Sequence, residues 1–273
     1  GNVRVRIDGL AASAATIVAM AGNVVEISPV GCMFVHNPEA MSIGNASDHK
    51  LTIEMLKEVK ECIEKYGKTP TELFDSLGIY NYGGAGFHCV HMSDNDLDIF
   101  KKRGVWAVHN PGSNTKLASG IADIKKMQDK GIGIALGTDG PASNNALDMF
   151  REMFLMTGLN KLRENDAAAC DALSVLYAAT VGGAKAMGLD DCDTLEVGKQ
   201  ADLIILDLKQ PNMQPINNLA KNIVYSGSKS NVKLTMCAGR VLYENGQFTN
   251  ADAEEIYEGV QQRAERIQKE VQP

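Results

Sequence analysis

Long apolar runs, paired cysteines and surplus positive charge are scarce in this chain, and each shortage excludes a class of function. No apolar stretch reaches the ~20 residues that cross a bilayer, so no transmembrane helix and no membrane partner are expected. Residues 10–21 form the most apolar stretch and follow Arg4 and Arg6, the outline of a secretion signal. The alanine-rich composition of that stretch is read instead as an internal helix. Lys and Arg number 27 against 34 Asp and Glu, and the balance of −7 provides no basic field for a phosphate backbone. Nucleic acid is therefore not an expected partner. The six cysteines form no CxxC and read as scattered small hydrophobes, which fits a reducing compartment and a cytoplasmic protein. Only five histidines are present (His36, His49, His88, His91 and His109), and no two make a His-x-His pair.

What is present is a rhythm. At 273 residues and 44% apolar content, the chain has room for one large domain or two modest ones. The first residues alternate, with strands expected over 3–7, 24–27 and 32–36 and a helix over 11–21. Leu51, Met55, Val59 and Ile63 repeat every four residues, so 47–66 reads as a helix. Strand and helix then alternate. Strands are expected over 87–91, 105–108 and 132–136, and helices over 94–103, 121–130 and 146–162. That alternation implies parallel βα units. After a helix over 174–187 come strand-like runs over 201–208 and 232–243, with Asn245-Gly246 as a hairpin signal. A charged amphipathic helix over 253–271 closes the sequence.

Polar residues collect where the three βα strands end: His88, then His109-Asn110-Pro111, then Thr138-Asp139-Gly140. Carboxyl ends of parallel strands converge on one site, so three such residues in succession point to chemistry rather than to helix capping alone.

Four ordered blocks add a resemblance: FHCVH (87–91), HNPGSNTKLASGIA (109–122), GTDGPASNNALDMFREM (137–153) and GKQADLIILDL (198–208). Together they resemble the methylthioadenosine/S-adenosylhomocysteine deaminase and chlorohydrolase group of amidohydrolases. The resemblance implies zinc or another divalent metal, a nucleoside-like small-molecule substrate and a homo-oligomer. In such a site a metal-bound water attacks the ring carbon that bears an exocyclic amine. Asp139 matches the last-strand aspartate, which binds metal and takes the water's proton. His88 matches the histidine at the attacking hydroxide. Ser143, Asn144 and Asn145 match the loop beside the substrate, with Asn110 and Asn114 in the preceding loop. The family's metal site also draws on a His-x-His pair from its first barrel strand and on a fifth-strand histidine followed three residues on by a glutamate; this chain has no His-x-His, and residues 3 to about 56 do not resemble the family's early barrel strands. With Asp139 and His88 as the two metal ligands carried over, an incomplete site is expected.

A different resemblance covers the first residues. VRIDGLAASAATIVAMAG, MFVHNP and IGNASDHKLTIEML are similar to the central segment of Clp-type serine peptidases of the phage head-maturation group. There Ser13 corresponds to the nucleophile and His36 to the general base, with the amide of Ala14 as an oxyanion donor. Read from the residues alone, Ser13 is a helix cap and His36 a strand-end polar group.

The expected fold class is therefore α/β. A Clp/crotonase-like fragment (1–56) precedes the C-terminal part of a partial TIM-type (β/α) barrel (57–197), a small β-sandwich appendage (198–250) and a terminal helix (251–273). The leading functional expectation is an amidohydrolase-type deaminase. A Clp-like serine endopeptidase using Ser13 and His36, and an inactive chimeric fragment, stay open beside it.

Overall fold

The computed structural model describes residues 65–270 throughout and Val271 in backbone. Before them it describes the backbones of four short strands: β1 (Arg4–Ile7), β2 (Leu10–Ala12), β3 (Val24–Ile27) and β4 (Cys32–Phe34). β1 pairs in parallel with β3, and β2 with β4. Because Leu10–Ala12 lies in that second ladder, the helix expected over 11–21 does not begin at residue 11; strand pairing overrides the helix preference of alanine there. The rest of that helix lies outside the described residues, as do Ser13, His36, His49 and most of the helix expected over 47–66.

The centre of the molecule is a parallel sheet of β5 (Gly84–Phe87), β6 (Val105–His109) and β7 (Ile134–Leu136), in that order. A short helix, α1 (Pro70–Ser76), precedes it. The crossover from β5 to β6 is α2 (Asp94–Arg103), and its ends follow from sequence. Ser93 and Asp96 form a capping box, two acids in the first turn (Asp94, Asp96) and three basic residues in the last (Lys101, Lys102, Arg103) match the dipole, and Gly104 closes the helix at φ 66°. Leu97 and Phe100 of α2 are buried against the sheet. A Cβ on Gly86 in β5 would stand 2.4 Å from the Phe100 ring, so glycine in the strand is what admits the aromatic ring.

Between β6 and β7 run α3 (Pro111–Lys116) and α4 (Ile124–Asp129). After β7 come the one-turn α5 (Pro141–Asn144) and the long α6 (Met149–Glu164), which Asp148 caps through the amides of Phe150 and Arg151. The cap explains why α6 begins later than the expected residue 146. The single helix expected over 174–187 is two, α7 (Ala172–Ala179) and α8 (Val181–Ala186). The break at Thr180 lets Gly182 approach the backbone of β7, where a Cβ would meet the Ile134 carbonyl at 2.3 Å.

β8 (Leu203–Leu206), β9 (Val232–Cys237), β10 (Arg240–Glu244) and β11 (Gln247–Phe248) form a separate antiparallel sheet. Helix α9 (Leu219–Ser226) lies between β8 and β9 in the chain. The strand expected over 232–243 is in fact a hairpin: Ala238 (φ 50°) and Gly239 (φ 73°) form the turn, and Cys237 pairs with Arg240. Two successive left-handed residues give the turn twist that joins antiparallel strands, and Asn245 (φ 48°) with Gly246 (φ 93°) repeats it before β11. α10 (Ala253–Val271) ends the described chain.

Candidate active site

Because β5, β6 and β7 are parallel, the residues after them share one edge of the sheet. His88, His109 and Asp139 all lie at that edge. β5 ends at Phe87, earlier than the strand expected over 87–91, because His88 (φ 65°) and Cys89 (φ 50°) turn into the left-handed region. The His88 amide still donates to Val108 O at 2.9 Å, so the ladder holds the turn. Asp139 also has a left-handed backbone, at φ 58°. Such backbones cost of order 1–3 kcal/mol each in non-glycine residues, and here they swing two polar side chains over the strand between them.

The result is a compact polar cluster. His88 Nε2 is 3.8 Å from Asp139 Oδ2. That same carboxylate oxygen accepts from Ser113 Oγ and from Ser143 Oγ, both at 2.7 Å. His88 Nδ1 lies 2.8 Å from Asn114 Oδ1. The two side chains at the centre, His88 and Asp139, are 25% and 32% exposed, so the cluster is open to a small molecule.

Beneath it lies a fully buried layer. Glu152, on the first turn of α6, is 0% exposed. It accepts from the Gly112 amide (2.7 Å) and from Asn144 Nδ2 (2.8 Å). Asn144 Nδ2 also donates to Thr138 O at 2.6 Å, fixing the residue before Asp139. Asn110 and Asn144, expected beside a substrate, are 2% and 1% exposed, while Ser143 is only partly buried. Asn145 lies at the surface and accepts from Lys116. His109 is buried, 1% exposed, and among the described residues neither of its ring nitrogens has a hydrogen-bond partner.

Electrostatics separates the groups. For Asp139, burial pushes the carboxyl upward, but hydrogen bonds from Ser143, Ser113 and Gly140 and the nearby His88 outweigh it and leave the net shift downward. Asp139 is therefore a carboxylate at neutral pH. Burial pushes Glu152 up, with the Asn144 and Gly112 donors opposing. Burial, and then His88, push His109 down to about 3, so its ring is neutral and does not act as a cation.

The donor set bears on a metal. Two corners of a tetrahedral zinc site lie about 3.3 Å apart, so His88 Nε2 and Asp139 Oδ2 at 3.8 Å would have to close up by a few tenths of an ångström to hold one ion. A catalytic zinc takes three protein ligands, and no cluster of three metal-binding side chains occurs among the described residues. The described residues alone do not complete the site.

Ser113 and Glu152 were not singled out from sequence. Ser113 sits inside the 109–122 block and Glu152 inside the 137–153 block, but neither has a role assigned from sequence; Glu152 reads there as an ordinary acid early in a helix.

A parallel sheet with a polar cluster at its carboxyl edge has that cluster where the active sites of α/β barrels lie. The amidohydrolase family pattern matches residues 39–242, and this chain belongs to that family. The Clp protease pattern matches residues 1–73, so the two matches overlap over 39–73. A 5-methylthioadenosine/S-adenosylhomocysteine deaminase of Caldanaerobacter subterraneus is 43% identical over 215 residues, which are 78% of this chain and 50% of that protein. A 5′-deoxyadenosine deaminase of Methanopyrus kandleri is 40% identical over 210 residues, 77% of this chain and 49% of that one. The chain thus spans about half the length of these curated relatives. Among solved structures, a zinc-bound adenosine deaminase from Xanthomonas campestris matches with a TM-score of 0.75 and 28% identity, over 93% of this chain and 60% of that one. A zinc complex of atrazine chlorohydrolase from Arthrobacter aurescens shares the fold, with a TM-score of 0.70 at 21% identity over 86% of this chain and 54% of that one.

Proposed function

We propose that the cluster is the C-terminal part of the active site of a metal-dependent deaminase acting on an adenosine-like amine, of the 5′-methylthioadenosine/S-adenosylhomocysteine class. The observation that carries this reading is the approach of His88 and Asp139 across the sheet edge, with two serines oriented on the carboxylate. The names of the relatives support the substrate class. Asp139 and His88 are the proposed ligands of a divalent metal, which when bound supplies an activated water. Of the chain's own residues, Asp139 is the proton acceptor, held ionised by its donors. His88 stands where negative charge develops. Ser143 is the proposed substrate-side residue, and Asn144 and Asn110, expected there as well, are buried behind it. We further propose a partial (β/α) barrel for the parallel-sheet portion, with the antiparallel sheet as an appendage.

The chain holds no His-x-His, and Asp139 and His88 are the two ligands carried over, so the metal is expected to bind weakly and turnover to be slow. The test is to supply excess zinc, follow the adenine-to-hypoxanthine absorbance change with 5′-methylthioadenosine or S-adenosylhomocysteine, and repeat with Asp139→Asn. Zinc-dependent turnover removed by that substitution supports the reading. Turnover that ignores both zinc and Asp139→Asn would sink it.

A second reading rests on the Clp protease match over residues 1–73. It makes Ser13 a nucleophile and His36 its base, both outside the described residues. Labelling by a fluorophosphonate, lost in Ser13→Ala, supports it; no labelling at high probe concentration counts against it.

A further inference from the structure

Glu152 is a fully buried acid that the deaminase reading leaves without a task. It is delivered from a rigid element, since Phe150, Met153 and Met156 of the same helix lie in the hydrophobic core. One oxygen accepts from the amide of Gly112, an N-terminal N–H of α3 that has no acceptor within its own helix. The other accepts from Asn144, which in turn holds the Thr138 carbonyl. Gly112 has no side chain because the carboxylate fills that space: a Cβ there would stand 2.3 Å from Glu152 Oε1. The next two residues of α3 are the ones that reach the cluster. Ser113 donates to Asp139, and Asn114 turns its amide oxygen to His88 Nδ1 at 2.8 Å.

With the Asn114 amide turned this way, its Nδ2 buried without a hydrogen-bond partner among the described residues, the oxygen accepts from Nδ1; that orientation puts the proton of the neutral His88 ring on Nδ1 and the lone pair on Nε2, against the pull of the Asp139 carboxylate on a proton there. An unconstrained histidine in water favours the opposite tautomer. We propose that Glu152 is a positioning residue: by pinning the first turn of α3 it holds the Asn114 oxygen against His88 and so fixes His88 in the Nδ1–H form. Acting through Asn114, Glu152 makes Nε2 an electron-pair donor toward whatever cation the cluster takes. The inference stands apart from turnover, and its readout is the ring itself.

The experiment is a long-range 1H–15N spectrum of the full chain, labelled in its histidine rings, at a pH well above the ordinary histidine value of ~6.5. A chelator in the buffer keeps a bound metal from imposing the tautomer, and the His88→Gln spectrum assigns the signal. The wild-type chain is expected to show Nδ1–H at His88. In Glu152→Gln one acceptor oxygen remains and the new NH2 faces one of the two donors, so one contact is lost, and the Nδ1–H fraction is expected to fall several-fold in a chain whose circular dichroism and Trp106 fluorescence remain those of the folded protein. Should Glu152→Gln fail to fold, Asn144→Ala removes one of the two contacts and is read the same way. An Nε2–H ring in the wild-type chain, or an unchanged tautomer in the folded variant, overturns the proposal and leaves Glu152 a stabiliser of the fold alone.

Discussion

Ser113 and Ser143, from the short helices after two neighbouring strands, direct their hydroxyls to the same oxygen of Asp139, each at 2.7 Å. Burial alone raises a carboxyl's pKa, and the balance turns downward through these donors, with Gly140 and His88 adding to them. A carboxyl whose pKa is lowered on folding contributes stability above its unfolded value, and that stability is lost as pH falls through the folded pKa. In the double variant Ser113→Ala with Ser143→Ala, burial loses its main opposition and Asp139 titrates higher than in the wild type. Carboxyl-carbon NMR titration reads this directly. An unshifted Asp139 would show that the serines do not hold it.

Gly112 and Gly158 offer a matched pair. Gly112→Ala drives a Cβ into Glu152, where overpacking costs typically 1–3 kcal/mol, and urea unfolding should show a loss of that order. Gly158, inside α6, has nothing within 4 Å of its Cβ position, so Gly158→Ala should stabilise by about 0.5–1 kcal/mol. Equal effects at the two positions would contradict the close contact beneath the site.

His109 gives the chain an acid-sensitive element. Its pKa is pushed down to about 3 from 6.5, first by burial and then by His88, so the unfolded chain takes up the proton first as pH falls. The associated stability is present above about 6.5 and is lost progressively toward about 3. His109→Leu replaces a ring with no hydrogen-bond partner among the described residues. That variant should show a flatter decline of stability across the window, measured by denaturant titration at several pH values. An identical slope would mean that His109 is already protonated in the fold.

Zinc affinity tests the two-ligand cluster. With His88 and Asp139 as the pair, zinc bound after dialysis should be below one equivalent by elemental analysis, and Asp139→Asn should lower it further. Stoichiometric, tightly held zinc that survives Asp139→Asn would place the metal elsewhere.

Much of the fold was written locally. Ser93 and Asp96 cap α2 and Gly104 ends it, so that helix follows from its own residues. Asn245-Gly246 likewise announces its turn. Where local preference met long-range contact, the sequence was misleading. Ala11 and Ala12 pair in a strand, Ala238-Gly239 turns what reads as one strand into two, and Thr180 breaks a helix where Gly182 meets the β7 backbone.

For the site, the order of strand and helix already put His88, His109 and Asp139 at the ends of successive strands, and parallel pairing turns that order into a shared edge. Three histidine and aspartate positions were therefore legible without coordinates. Their differing roles were not. His109 and His88 look alike in sequence, yet one is sealed beneath the site and the other is a quarter exposed beside Asp139. Glu152 looks like any acid near a helix start until α6 packs against α3 and removes it from water. Sequence determines which groups are available and roughly where the chain turns. Only tertiary packing decides which of them lose their solvent and gain a partner, because desolvation and hydrogen bonding depend on neighbours that are distant in the chain.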